Sequence, residues 1–180
     1  TLRSLLIPGD NRRLFWTEGL PGCGRDDFLG RWCTEERHLA LSGEAEAGGR
    51  EVSVVPLSRW DQGREPVAPG SAVRVDEDRW LAAVTASAFA GCLWRGDREA
   101  VWQALASGLP LVAGPEATAL MADLGVEPGA AVSVSGWDEV ERQWAEWEGQ
   151  AFPWRDQQAA TRRAYWAARR RAEAAMAVID

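Results

Sequence analysis

The stretch Trp94-Arg95-Gly96-Asp97-Arg98-Glu99 has residue types and spacing suited to chemistry. It lies between a short apolar run and a helical pattern, where a loop opens into a helix. The free N–H groups and positive dipole end of a helix start make a ready anion site. Arg95 and Arg98 flank that start, and a guanidinium pairs with phosphate oxygens in a fixed fork. Asp97 is a good N-cap residue, and its charge opposes an anion. The plainer reading is a capped surface helix carrying ordinary arginines. A second candidate is Asp76-Glu77-Asp78, directly after Val73-Arg74-Val75. Its Asp-x-Asp pair offers hard oxygens of the kind that hold Mg²⁺ or Mn²⁺. It reads also as the acidic first turn of an amphipathic helix bearing Trp80, Leu81 and Val84. A third is the basic face of Arg162, Arg163 and Arg169-Arg170-Arg171 on the last helical stretch. It reads as a solvated face or as a contact for another domain or acidic headgroups.

Other chemistries are excluded by what is missing. All 20 basic residues are Arg. A P-loop, a protein kinase and a pyridoxal-phosphate enzyme each need a Lys. His38 is the single His, which removes double-His metal sites. It is expected to be structural or on the surface. Gly-x-Gly-x-x-Gly and Gly-x-Ser-x-Gly are absent, so a dinucleotide dehydrogenase and an α/β-hydrolase lose their fingerprints. Cys23, Cys33 and Cys92 show no Cys-x-x-Cys spacing, and a reducing, cytoplasmic setting is expected. The formal net charge of −7 disfavours nucleic acid and anionic membranes. No apolar run of about 18 residues occurs, so no transmembrane segment is expected. The 11 Trp read as core and helix-packing residues. Missing Lys with abundant Ala, Arg and Gly suggests a GC-rich bacterial genome.

The elements that must position these residues follow from the patterning. A chain of 180 residues is long enough for one well-filled core. Strands are expected at Leu5–Ile7, His38–Ser42, Glu51–Leu57, Ala72–Val75, Ala88–Trp94, Leu109–Ala113 and Ala131–Ser135. One helix is expected within 11–36. Others are expected over 76–86, from Asp97 to Gly108, over 116–124, over 137–147 and from Pro153 to about Ala177. Strands separated by helices predict an α/β, Rossmann-like parallel sheet with helices on both faces, in a single domain. Residues 1–152 would form that domain. Residues 153–180 would form a C-terminal helix packing on it or on a separate N-terminal domain. Ligands of such sheets sit outside the carboxyl ends of the strands.

Gln103-Ala104-Leu105-Ala106-Ser107-Gly108-Leu109-Pro110-Leu111-Val112-Ala113 resembles the signature of GT-B glycosyltransferases, of which Glu-Ala-Met-Ala-Ser-Gly-Leu-Pro-Val-Val-Ala is a typical form. The order of elements resembles that family's C-terminal, nucleotide-sugar-binding domain. Leu39-Ala40-Leu41-Ser42-Gly43 resembles its strand ending in Gly. The resemblance implies binding of a nucleotide-diphospho-sugar for transfer to an acceptor. It places the donor diphosphate against Gly9 to Arg13, with Asn11, Arg12 and Arg13 among them, and against Arg95, Gly96, Arg98 and Glu99. It puts the ribose on Gln103 and the base near the backbone of Val75. It implies no metal and no cofactor, with arginines and a helix N-terminus stabilising the departing diphosphate.

The departures from the family pattern matter. Retaining members carry Glu-x(7)-Glu, and its two positions here hold Arg95 and Gln103. A full enzyme of the family also has an N-terminal half that carries the acceptor site, and 180 residues supply one half. No catalytic residue is therefore assigned. The alternative is a degenerate transferase-like module that packs on a partner protein. In a third reading, Asp76 and Asp78 resemble the metal-holding pair of GT-A glycosyltransferases.

Overall fold

The computed structural model describes residues 13–19, 31–44, 50–57, 72–75 and 88–179. The sheet starts from an uninterrupted apolar run. Leu14, Phe15 and Trp16 are all buried in strand β1 (Arg13–Glu18). A strand covered on both faces has no need of polar alternation. β1 lies between β2 (Arg37–Glu44) and β5 (Ala88–Leu93) and runs parallel to both. Beyond β2 come β3 (Arg50–Pro56) and then β4 (Ala72–Val75), each antiparallel to its predecessor. Beyond β5 come β6 (Leu111–Ala113) and β7 (Val132–Ser133), both parallel. The seven strands take the order β4-β3-β2-β1-β5-β6-β7. The fold is α/β and Rossmann-like. The sheet is mostly parallel, with β3 alone running the other way.

Within 11–36 the structure shows strand β1 over 13–18, and residues 20–30, where most of the expected helix could fall, lie outside the described residues. Leu5–Ile7 and the 76–86 helix lie outside the described residues. The strands expected at 38–42, 51–57, 72–75 and 88–94 fall within a residue or two of β2, β3, β4 and β5.

Among the described residues four helices cover the sheet. Helix α1 (Arg98–Ser107) starts as its sequence predicts, with Asp97 accepting a 2.9 Å bond from the N–H of Ala100. It ends at Gly108, whose φ of 65° is left-handed and whose N–H returns to the carbonyl of Leu105. Helices α2 (Pro115–Asp123) and α4 (Ala151–Ala177) join α1 on one face. There Ala100, Val101, Ala104, Leu105, Met121 and Ala164 meet Leu14 and Trp16. Helix α3 (Trp137–Gly149) covers the other face with Trp137, Val140, Trp144 and Trp147, one stripe at helical spacing. Phe15 meets it from below, its ring 4.8 Å from that of Trp144. Each such fully buried side chain contributes about 1.5–3 kcal/mol. Trp16, Trp137, Trp144 and Trp147 are thus core, while Trp166, expected with them, is 51% exposed. His38 is buried within β2.

The amino end of the sheet is tied by charge. Glu148 of α3 takes a bidentate grip on Arg37 at the start of β2 and lies 3.8 Å from Arg13 at the start of β1. The hydrogen bonds that Arg37 donates to Glu148 raise the Arg37 pKa above its ordinary value. Arg13 also covers the Phe89 ring, 4.3 Å from its centroid. Phe89 is the extra residue of a bulge, since Leu14 pairs with Ala88 but Phe15 pairs with Ala90. Trp154, at the start of α4, stacks on that ring and donates from Nε1 to the Phe89 carbonyl at 3.0 Å. The C-terminal helix therefore packs on the sheet. Its last part, from Arg169 to Ile179, is exposed along its whole length.

Candidate functional site

Strand order reverses at β1. The chain leaves β1 for β2 on one side and returns on the other as β5. The crevice outside the carboxyl ends of β1 and β5 is therefore the topological switch point, where open α/β sheets bind ligands. Three glycines shape it. Gly19 follows β1 with φ of 74°, and a Cβ there would lie 3.0 Å from Cβ and 3.1 Å from the backbone N of Arg95. The turn after β5 passes directly over it. The carbonyl of Glu18 accepts from the N–H groups of Trp94 and Arg95 at 3.0 and 3.2 Å, which fastens that turn to β1. A Cβ on Gly96 would meet Cβ of Ala100 at 2.7 Å, so only glycine lets the turn enter α1 this closely. Gly114 passes the Trp94 ring in the same way, and its N–H donates to the Leu93 carbonyl at 3.0 Å.

The polar groups of the crevice follow. Glu18 is 8% exposed, and its side chain lies beside Gly96. Thr17 is buried, and its hydroxyl donates to the Gly19 carbonyl at 2.8 Å. Beneath it, burial pushes the Cys92 thiol up to about 12, with a hydrogen bond from Thr17 opposing the shift. Arg95, Asp97, Arg98 and Glu99 are exposed at the mouth. Asp97 takes the N–H of Ala100, while helix geometry leaves the first-turn amides of Arg98 and Glu99 without an intrahelical acceptor.

A groove of about 570 Å³ continues from this mouth along the outer side of α1. Arg98, Trp102, Gln103 and Ala106 line one wall, and Tyr165 of α4 lines the other. Gln103 donates from Nε2 to Glu99 at 3.4 Å. Trp102 and Tyr165 pack partly against the core beneath.

The structure places Arg95, Gly96, Arg98, Glu99 and Gln103 along the turn after β5 and the first half of α1. It separates two others. Arg13 was expected in a loop after the first strand, but it opens β1 at the opposite end of the sheet, held by Glu148 and Phe89. Val75 ends the edge strand β4, four strand spacings or about 19 Å from β5. Gly9, Asn11 and Arg12 lie outside the described residues, as do Asp76 and Asp78. No protein-family model matches this chain, and no curated protein does. Among the described residues no group of three or more His, Cys, Asp or Glu is placed to hold a metal ion. No described helix is long and apolar enough to cross a membrane.

Two features were missed in the sequence. Glu18 could be assigned to the crevice only after β1 was recognised. That Trp102 and Tyr165 line one groove depends on how α4 packs on α1, which local pattern does not carry. Within α4, the Thr161 hydroxyl donates to the Ala130 carbonyl at 2.8 Å, and Arg162 lies over Gly108.

Proposed function

We propose that the chain is the donor-binding domain of a glycosyltransferase and binds a nucleotide-diphospho-sugar at the β1–β5 crevice. The observation that carries this reading is the convergence on one switch point. Arg95, Arg98, the open amides of α1 and a glycine-walled floor meet there, on the segment that resembles the GT-B signature. The diphosphate sits against Arg95, Arg98 and the amides of Arg98 and Glu99. Gln103 reaches the ribose, its amide acting as both donor and acceptor for the diol. The two arginines stabilise the charge that develops as the nucleotide diphosphate departs, so no metal is required. The role expected for Arg13 is not carried forward, because that residue belongs to the clamp at the far end.

Calorimetric titration with UDP, GDP, ADP and TDP, with and without Mn²⁺, tests this. One nucleotide is expected to bind without metal. Arg98→Glu is expected to weaken it about 10- to 100-fold, the loss of a hydrogen bond to a charged group, with the fold unchanged by circular dichroism. Unchanged affinity in both Arg95→Glu and Arg98→Glu would sink the assignment.

A second reading, a transferase-like module that docks on a partner protein, is favoured by one observation. The end of α4, from Arg169 to Ala177, is exposed along its length, as are Val178 and Ile179 just beyond it. Absence of binding to all four nucleotides would turn the assignment to it.

A further inference from the structure

We infer that the base of the bound nucleoside diphosphate stacks in the groove between α1 and α4, on Trp102 and Tyr165, and not at the end of β4. The inference rests on the donor-site reading above and adds the residues that select the nucleoside. In a nucleotide the base is bonded directly to the ribose, so wherever the ribose is held, the base lies next to it. Gln103, the residue placed to hold the ribose, lines the groove together with Trp102 and Tyr165. Val75 lies about 19 Å from β5 across the sheet, beyond the reach of a base on that ribose.

The groove has the chemistry of a base platform. Arg98 stands at its mouth, one helical turn before Trp102 and on the same side of α1. A diphosphate at Arg98 therefore delivers its nucleoside along the helix toward Trp102 and Ala106. Ala106 keeps the far end of the wall low. Trp102 and Tyr165 are held from below by the core, so their rings need little ordering on binding. Aromatic rings bind any base through its π-face, and a small set of polar groups then sets orientation. Here those groups are the Gln103 amide and the Glu99 carboxylate beside it.

The test compares each nucleoside diphosphate with inorganic pyrophosphate, by calorimetry on the whole chain. The quantity read is the ratio of the pyrophosphate Kd to the Kd of the preferred nucleotide. Stacking on an aromatic side chain predicts that Trp102→Leu lowers this ratio roughly 5- to 140-fold, while pyrophosphate binding stays unchanged. Tyr165→Leu is expected to lower it in the same direction, which keeps the test open if one variant folds poorly. A ratio unaffected by both variants overturns the inference and leaves the phosphate site standing, as does a wild-type ratio of one. Failure of the wild-type chain to bind either pyrophosphate or any nucleotide overturns the donor-site reading itself, and this inference with it.

Discussion

Gly19 and Gly125 form a matched pair for measuring how tightly the crevice is built. Their φ angles are 74° and 72°, so alanine meets the same left-handed penalty at both. Their surroundings differ. An added Cβ at Gly125 has nothing within 4 Å, whereas at Gly19 it stands 3.0 Å from Cβ and 3.1 Å from the backbone N of Arg95. The left-handed penalty is about 1–2 kcal/mol for alanine, and alanine's stiffer unfolded chain returns about 0.4–1 kcal/mol. Gly125→Ala should therefore cost about 1 kcal/mol. At Gly19 the neighbour is main chain, tied to Glu18 by two hydrogen bonds, and cannot swing aside. Crowding of this kind adds about 1–3 kcal/mol, for a total near 3 kcal/mol. At about 2–4 °C per kcal/mol for a chain of this size, Gly125→Ala lowers Tm by about 2–4 °C and Gly19→Ala by about 6–12 °C. Urea unfolding followed by Trp fluorescence gives the free energies directly, with equal m-values as the check on comparability. Gly19→Ala should also weaken pyrophosphate binding, because it displaces Arg95, while Gly125→Ala should not. Equal stability losses in the two variants would refute the close approach of β1 to the turn after β5.

Three further outcomes are expected. Asp97→Ala should lose about 1 kcal/mol with the N-cap yet bind pyrophosphate more tightly, since it removes an opposing charge; calorimetry and thermal melting read the two effects separately. Glu148→Gln should cost about 1.5–3 kcal/mol in urea unfolding, because Arg37 and Glu148 are only 20% and 17% exposed and the grip is charge-assisted. Cys92 holds its proton up to about 12 against a reference of 9.0, so the unfolded chain ionises first. The stability this contributes is fully present below pH 9 and declines as pH rises toward 12. The decline should be shallower in Cys92→Ala, by urea unfolding from pH 8 to 11.

The second half of the fold was legible because its signals are local. Asp97, Gly108 and Pro110 punctuate α1, and each element from β5 to α4 falls within a few residues of its expected place. In the first half β2, β3 and β4 were legible too, and β1 was not. Leu14-Phe15-Trp16 is a short apolar run with no period, because both faces of β1 are covered, and such a run does not distinguish a strand from a buried helix. The missed β1 put Arg13 in a loop and left Glu18 and Gly19 unassigned. The β2–β3 hairpin did leave a signal. Only residues 45–49 separate the two strands, too few for a parallel crossover. The groove could not be read, since Trp102 and Tyr165 meet only through the packing of α4 on α1.

The position of the crevice has a consequence for how the chain reaches its native state. The β2–β3–β4 arm pairs neighbours in sequence and can form early, as can α1 with β6. β1 and β5 meet only after the chain closes around the whole intervening arm, and long-range closure is the entropically costly step. The crevice is the seam of that closure. A ligand spanning it would bind only the completed sheet and add its binding free energy to the stability of the closed state. It would therefore slow opening of β1 from β5 more than it slows fraying of either half. Amide exchange along β1 and β5 would then report ligand occupancy, although few of those amides need touch the ligand.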